Sequence, residues 1–274
     1  MSSAFDGTSL LTDKPQTLKG KLAVITGCTR GIGLEITYTL ASLGCQILGT
    51  YSNSSSSAST TLSSILSGHT KYVGVCADIR TPSSSIAAIV SALDTSFPKQ
   101  QPVDIVVNNA AVATLSPLRS LDAQDLLDSL TGNTIFPALL LQALLPRLAT
   151  DGGARIINIS SEGSHLGRAN TTAYSASKAA LESMTRTWAK ELGQEYGGLT
   201  VNALALGMVK TDLYWKLPEH RREFWEEKLK ETPVEGRVGC TQDVAGVVEF
   251  LVGEGSRWVS GQVIAVGGGN LMIV

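Results

Sequence analysis

The sequence predicts an α/β protein: a single domain built on a doubly wound parallel sheet, with helices on both faces. Three observations point there. Short β-branched runs alternate with longer helical patterns along nearly the whole chain, the order that βαβ units produce. The first run passes directly into a glycine-rich turn that opens a helix. No segment repeats another, so each strand and helix has its own place in one layered core. With 274 residues the chain suits one large domain, residues 20–274, preceded by a flexible, polar arm of residues 1–19.

Composition narrows the function. Hydrophobic residues make up 43% and aromatics 5%, with 27 glycines, which fits a fold packed from Ala, Leu, Ile and Val around tight turns. A net charge of −2 supplies no polybasic field, so neither nucleic acid nor a membrane surface is an expected partner. Cys28, Cys45, Cys76 and Cys240 are far apart, with no C-x-x-C pair or His cluster, so no disulfide framework and no metal site is indicated. Reduced thiols, no signal-peptide pattern and no apolar run of membrane-spanning length imply a cytoplasmic protein.

Taken in order, residues 21–26 form the first strand, and the turn after it holds Gly27, Thr29, Arg30, Gly31, Ile32 and Gly33 before a helix over 34–43. A glycine turn between strand and helix lets a pyrophosphate approach the backbone and meet the helix N-terminus. The second strand spans 46–50. An acid about 20 residues past the glycines would hold the ribose 2′-hydroxyl of NAD, but no Asp or Glu lies between Glu35 and Asp78. Arg30 in the turn, with Thr50, Ser52 and Asn53 at the strand end, instead suits the 2′-phosphate of NADP(H). The competing reading is that residues 54–57 are a low-complexity loop and Arg30 only faces water. The third strand, 72–77, ends at Asp78 and Ile79, where a carboxylate can accept from an adenine amino group. After a helix over 82–96, the fourth strand, 103–107, closes on Asn108, Asn109, Ala110 and Ala111. There amides can pin neighbouring backbone while alanines admit a nucleotide.

Residues 122–149 read as a long helical stretch, apolar nearly all round in its second half, with Gly132, Asn133 and Pro137 predicting an irregularity near Asn133. The strand at 155–160 leads to Ser160 and Ser161, then a loop with Gly163 and Gly167. A helix over 172–196 follows, with Thr171 and Thr172 as its capping candidates. Tyr174 and Lys178 lie one turn apart on one face of that helix. An ammonium ~5 Å from a phenol at an effective dielectric of ~20 favours the phenolate by roughly 3 kcal/mol, or about two pKa units. Alone, such a pair is an ordinary surface pair. A sixth strand, 199–204, leads to Gly207, Val209 and Thr211. A charged amphipathic segment, a helix over 242–252 and a last strand over 262–266 complete the chain.

Together these residues resemble the short-chain dehydrogenase/reductase family from about residue 20 to the end. Its motifs occur in order: Thr26, Gly27, Gly31 and Gly33; Asn108, Asn109 and Ala110; Asn133; Ser161; Tyr174 and Lys178; Gly207, Val209 and Thr211. Within the family the chain is similar to the 3-oxoacyl-carrier-protein reductase branch, through Thr232, Pro233, Gly236, Arg237 and Gly239 and through Ser260, Gly261 and Gln262. The resemblance implies a Rossmann-type fold and makes Tyr174 the acid that protonates a substrate carbonyl as hydride arrives. By the same resemblance Lys178 lowers the phenol's pKa and holds the nicotinamide ribose. Ser161, thirteen residues before Tyr174, polarises the carbonyl, and Asn133 holds a water that resupplies protons. Val209 and Thr211 match positions at the carboxamide. Three positions depart from the pattern. Leu206 stands for a frequent proline, implying a looser turn at Gly207, Ala111 for a glycine, and Gly267 for an aspartate. Glu162 and His165 are unusual for the family and leave two readings, lining the substrate pocket or, the favoured one, an exposed loop acid and a loop His; neither belongs to the catalytic set.

The leading functional expectation is an NADPH-dependent reductase of a bulky, largely apolar ketone, with a place in secondary metabolism. The alternatives are an NADP-dependent alcohol dehydrogenase, a 3-oxoacyl-carrier-protein reductase, and a nucleotide-binding scaffold or non-redox enzyme on the same fold. Residues 208–235 match the family's mobile substrate lid. There Tyr214, Trp215 and Trp225 are expected to close over the substrate, while the diluted charges of Arg221 and Arg222 argue against a carrier protein. The apolar flank at 138–145, with Ala179, Met184 and Trp188, resembles the family's interface helices and implies a homodimer or homotetramer.

Overall fold

Each apolar run becomes a strand in the computed structural model, which describes residues 15–52 and 56–273. The strands are β1 (Leu22–Ile25), β2 (Gln46–Tyr51), β3 (Tyr72–Cys76), β4 (Ile105–Asn108), β5 (Arg155–Ser161), β6 (Thr200–Leu206) and β7 (Val263–Val266). All seven are parallel in one sheet ordered β3-β2-β1-β4-β5-β6-β7. Every residue of β1, β4, β5 and β6 is buried. This explains why these strands read as continuous apolar runs rather than alternating ones.

The helices are α1 (Gly31–Ser42), α2 (Ser56–Leu66), α3 (Pro82–Ser96), α4 (Ala123–Leu130), α5 (Phe136–Leu144), α6 (Thr172–Leu192), α7 (Asp212–Trp215), α8 (Glu219–Lys228) and α9 (Thr241–Val252). One core packs Ile36 and Leu40 of α1 and Val244 and Val248 of α9 on Ile25, Ile47 and Val107. The other packs Ile89 of α3 and Phe136 and Leu140 of α5 on Val24, Leu48 and Val106. Strand order reverses between β1 and β4, and the crevice beyond the carboxyl ends of the strands at such a reversal is where this architecture binds ligands. No helix among the described residues is long and apolar enough to cross a membrane.

Four expectations are corrected. The serine-rich stretch is not wholly loop: α2 forms because Ser59, Leu62 and Leu66 recur at helical spacing and are buried, and Ser59 Oγ meets the Tyr72 hydroxyl at 3.0 Å. Asn53, Ser54 and residues 1–14 of the arm lie outside the described residues. The rest of the arm is docked, with Leu18 buried and its amide donating to Leu43 O at 2.9 Å. The turn after Leu206 is not loose: Leu206 pairs in register with Val266, and Gly207 N donates to Val266 O at 3.0 Å. Thr171 does not cap α6; its hydroxyl donates back to Arg168 O at 2.8 Å. The predicted irregularity at Asn133 is present as a π turn, Thr131–Ile135, between α4 and α5.

Candidate active site

A cleft of about 480 Å³ opens at the carboxyl ends of β1 to β4. Gly27, Thr29, Arg30, Gly31, Ile32 and Gly33 line it from the turn, Thr50 and Ser52 from β2, Asp78 and Ile79 from β3, Asn109 and Ala110 from β4, and Thr211 from the far side. Gly33 is required by contact: a Cβ there would lie 2.1 Å from Gly27 O and 2.5 Å from Asn109 Nδ2. Gly27 needs its freedom for a different reason, its φ of +68°. Asn109 pins the turn as expected, its Nδ2 donating to Thr26 O (2.9 Å) and Gly27 O (3.1 Å). Thr26 Oγ1 accepts in return from the amides of Asn109 and Ala110.

Two cleft residues sit differently from the sequence expectation. Thr50 is buried and its Oγ1 accepts from Gly27 N at 3.2 Å, so this hydroxyl braces the glycine turn instead of standing free for a phosphate. Asp78 accepts from the amide, Nε and NH2 of Arg80, whose guanidinium holds its carboxyl below the usual range. Arg80 is thus a second cation at the cleft that the sequence reading missed. Arg30 is exposed at the N-cap of α1.

Past β5 the remaining residues converge. Ser160 Oγ is committed to Glu182 Oε1 at 2.5 Å. Ser161 is therefore the serine left beside Tyr174; its Oγ accepts from Gly163 N at 3.1 Å and lies within hydrogen-bonding reach of the phenol. Lys178, buried, donates from Nζ to Ile159 O at 2.7 Å and sits 5.9 Å from the Tyr174 ring centroid. Burial lowers the Lys178 pKa to about 8, against a smaller upward pull from Glu182 one turn further along α6. The phenol departs from expectation: burial pushes its pKa up, and the groups that oppose this are Ser161 and the charge of Arg168. Lys178 donates to the β5 carbonyl, so its ammonium acts on the phenol from 5.9 Å off the ring centre and burial of the phenol outweighs it.

Asn133 is fully buried. Its Oδ1 accepts from Val112 N, and its Nδ2 donates to Val112 O and to Ser177 Oγ. Its side-chain donors are thus spent on joining the loop after β4 to α6. Val209 is buried where the chain after β6 bridges to Gly239, and it faces a cavity of about 180 Å³ beside the main cleft.

This geometry has counterparts. A family model described as enoyl-(acyl carrier protein) reductase matches residues 27–270. The chain belongs to the short-chain dehydrogenase/reductase family. It is an oxidoreductase of that family, whose members act on carbonyl and alcohol groups. Short-chain dehydrogenase/reductase FrzI of Cladobotryum is 39% identical over 94% of this chain and 99% of its own length. An L-xylulose reductase of Aspergillus niger is 36% identical over 93% of this chain and 98% of its own. Among solved structures, the angucycline C-6 ketoreductase LanV with bound NADP superposes with a TM-score of 0.82 at 27% identity, covering 94% of this chain and 98% of its own.

Against the pattern of the short-chain dehydrogenases, Glu162 is the largest surprise. It is not an exposed loop acid but fully buried, and its Oε2 accepts from Arg168 NH2 (3.0 Å) and Asn270 Nδ2 (2.8 Å). Its Oε1 has no partner. The departure at 267 now has a cause: a Cβ on Gly267 would lie 2.0 Å from Glu162 Oε1, and one on Gly207 would lie 3.0 Å from it. The sequence offered a signal for this, an acid after Ser161 together with a glycine where aspartate is frequent. His165 also has a partner, Glu182 Oε2 at 2.9 Å.

The segment after Thr211 folds on its own small core. Tyr214 is buried there with Leu229 and Val238, and its hydroxyl donates to Glu226 Oε1 at 2.9 Å, so it does not face a substrate. Trp215 is 55% exposed, edge-on to Tyr214. Trp225 is half-buried, with the Arg168 guanidinium 5.1 Å and Lys228 Nζ 5.4 Å from its ring centre.

Proposed function

We propose that the chain reduces a bulky, largely apolar ketone with NADPH. The observation that carries the reading is the convergence of Tyr174, Ser161 and Lys178 at the end of β5, in the same fold as a cleft lined by the glycine turn. NADP(H) fits that cleft: the glycine turn that lines it leads into the N-terminus of α1, Arg30 stands exposed at the turn, and no acid stands at the end of β2. Bound there, NADPH would supply the hydride.

The chain's own groups do the rest. Tyr174, kept neutral by burial, holds the proton for the carbonyl oxygen, and Ser161 donates to the same oxygen. Lys178, with a pKa of about 8, carries its charge at neutral pH and stabilises the phenolate left behind. Asn133 fixes α6 so that these groups keep their spacing. Val209, Thr211 and Ile79 shape the nicotinamide and adenine ends. Residues 208–235 act as the substrate lid, with Trp225 as its inner ring.

The same reading makes it a cytoplasmic homodimer or homotetramer. Leu127, Ile135 and Leu139 leave an apolar face exposed between α4 and α5, and among the described residues no cysteine is in a disulfide. Its test is a screen of NADPH consumption over ketones of graded size with products identified. Large ring ketones should turn over fastest, with NADPH preferred to NADH. Sugars or small polar ketones reacting faster would overturn the substrate class, and NADPH bound but never oxidised would overturn the activity.

A further inference from the structure

We propose that Glu182 is a positioning residue for Ser161, clamping the chain on both sides of it through Ser160 and Ser164. This rests on the ketone-reductase reading, which makes Ser161 the group that polarises the substrate carbonyl.

Helix α6 sets Tyr174, Lys178 and Glu182, each one turn beyond the last, against the end of β5. Tyr174 comes within hydrogen-bonding reach of Ser161, and Lys178 Nζ donates to Ile159 O at 2.7 Å. Glu182 Oε1 takes the residue between those two, accepting from Ser160 Oγ at 2.5 Å. The same oxygen lies 2.6 Å from Ser164 Oγ, on the far side of Ser161. One carboxylate oxygen thus holds both the strand that arrives at Ser161 and the turn that leaves it.

The link to the serine hydroxyl runs through that turn, Glu162–Ser164. Ser164 Oγ stands 2.5 Å from Ser161 O as well as beside Glu182, so the turn is closed on itself and tied to α6. Inside it Gly163 N donates to Ser161 Oγ at 3.1 Å. A hydroxyl that accepts from this amide keeps its own hydrogen for another acceptor. Fixing the turn therefore fixes where Ser161 aims that hydrogen.

The carboxylate is fully engaged in this work. Glu182 is buried, and its second oxygen, Oε2, meets His165 Nε2 at 2.9 Å. A buried carboxylate is costly unless hydrogen bonds replace its water, and here Ser160, Ser164 and His165 supply them. The competing role is an effect on the charge of Lys178. Glu182 does pull the lysine's pKa up, but burial outweighs it, and the ammonium gives its hydrogen bond to Ile159 O while both Glu182 oxygens are held by other donors.

The test measures kcat, KM and NADPH affinity for the wild type, Glu182→Ala and Glu182→Gln, and for Glu182→Ala on a Ser161→Ala background. The substrate is the ring ketone that the wild type reduces fastest. Glu182→Ala should lower kcat by about 10–100-fold with NADPH affinity unchanged, because a shift of about 1 Å at a reacting group can cost that much. Glu182→Gln keeps the accepting oxygen and loses the charge, so it should recover kcat to within about threefold of the wild type. With the Ser161 hydroxyl already absent, Glu182→Ala should cost no further kcat. Unchanged kcat in Glu182→Ala, a loss that comes through NADPH affinity, a glutamine variant as slow as the alanine one, or an equal loss on the Ser161→Ala background overturns the clamp.

Where Glu182→Ala does not fold, Ser164→Ala removes the turn-side bond alone. A loss of kcat that vanishes on the Ser161→Ala background upholds the proposal, and wild-type kcat or a loss that persists there overturns it. Should the wild type oxidise NADPH with no ketone, the reductase reading falls and backbone hydrogen exchange decides the clamp. Residues 162–165 exchanging about tenfold faster in Glu182→Ala but not in Glu182→Gln uphold it, and equal exchange overturns it.

Discussion

At the ends of β1, β2 and β4 the cleft wall is main chain, held by short side chains: Thr26, Thr50 and Asn109 each spend their polar atoms on the glycine turn. Past β5 the wall is made of long charged side chains that hold one another, Glu162 with Arg168 and Asn270, and Glu182 with Ser160, Ser164 and His165. The first arrangement is fixed by short-range bonds to main chain, the second by charge and reach between side chains; under the proposed reductase reading the first would hold the cofactor and the second would face the substrate.

The largest effects should separate the halves cleanly. Tyr174→Phe removes the proton donor and little volume, and turnover should fall by about 10³-fold while NADPH still binds. Arg30→Ser should do the reverse, weakening NADPH about tenfold or more with little change for NADH. Fluorescence titration of both cofactors alongside steady-state rates reads the two variants together. Equal losses of NADPH and NADH in Arg30→Ser would take the phosphate contact away from Arg30. Near-normal turnover in Tyr174→Phe would take the proton away from Tyr174.

The same division explains what was legible beforehand. The strand order, the glycine turn, the π irregularity at Asn133 and the Tyr174–Lys178 face follow from local signals: apolar runs, glycine spacing and helical period. Glu162 carries no such signal, because a charge after a strand reads as a loop residue until its partners are known, and those lie six and 108 positions away. Tyr214 misled for a similar reason. A segment's amphipathic pattern shows that it has an apolar face, not that the face turns inward on Leu229 and Val238 rather than onto a ligand. The direction of the phenol's pKa is not legible either, because helical spacing brings Lys178 alongside Tyr174 but cannot reveal the burial that pushes the phenol up.

A mid-sized effect tests whether the substrate half is one jointly chosen set. Gly267→Ala puts a methyl 2.0 Å from Glu162 Oε1, and Glu162 cannot swing aside while Arg168 and Asn270 hold its other oxygen. The substitution should cost about 1–3 kcal/mol of stability. Shortening the acid in the same chain with Glu162→Ala removes the clash, so the double variant should be more stable than the two single losses sum to, by about 1 kcal/mol or more. Denaturant melts of both singles and the double give the coupling. Strict additivity would mean that Gly267 is not there to make room for Glu162.

The smallest predicted effect asks whether the substrate half costs the fold stability. Lys178 is buried, and burial lowers its pKa to about 8 from 10.5 in the unfolded chain. Between those values the unfolded chain binds a proton that the native state sheds, so this group makes stability rise with pH across the window. Its contribution is fully present above 10.5 and is lost as pH falls through about 8, leaving at neutral pH a buried charge that opposes folding. Lys178→Met removes that opposition, worth roughly 3 kcal/mol at about 1.4 kcal/mol per pKa unit. It also removes the bond to Ile159 O, worth about 1 kcal/mol. The variant should therefore be inactive yet more stable than the wild type by about 1–2 kcal/mol at pH 7, with the advantage gone by about pH 10. Denaturant midpoints of both proteins at the two pH values measure it, and other titrating groups cancel in the difference. A variant no more stable at neutral pH, or one whose advantage persists at high pH, would mean that the lysine is not held against its own ionisation.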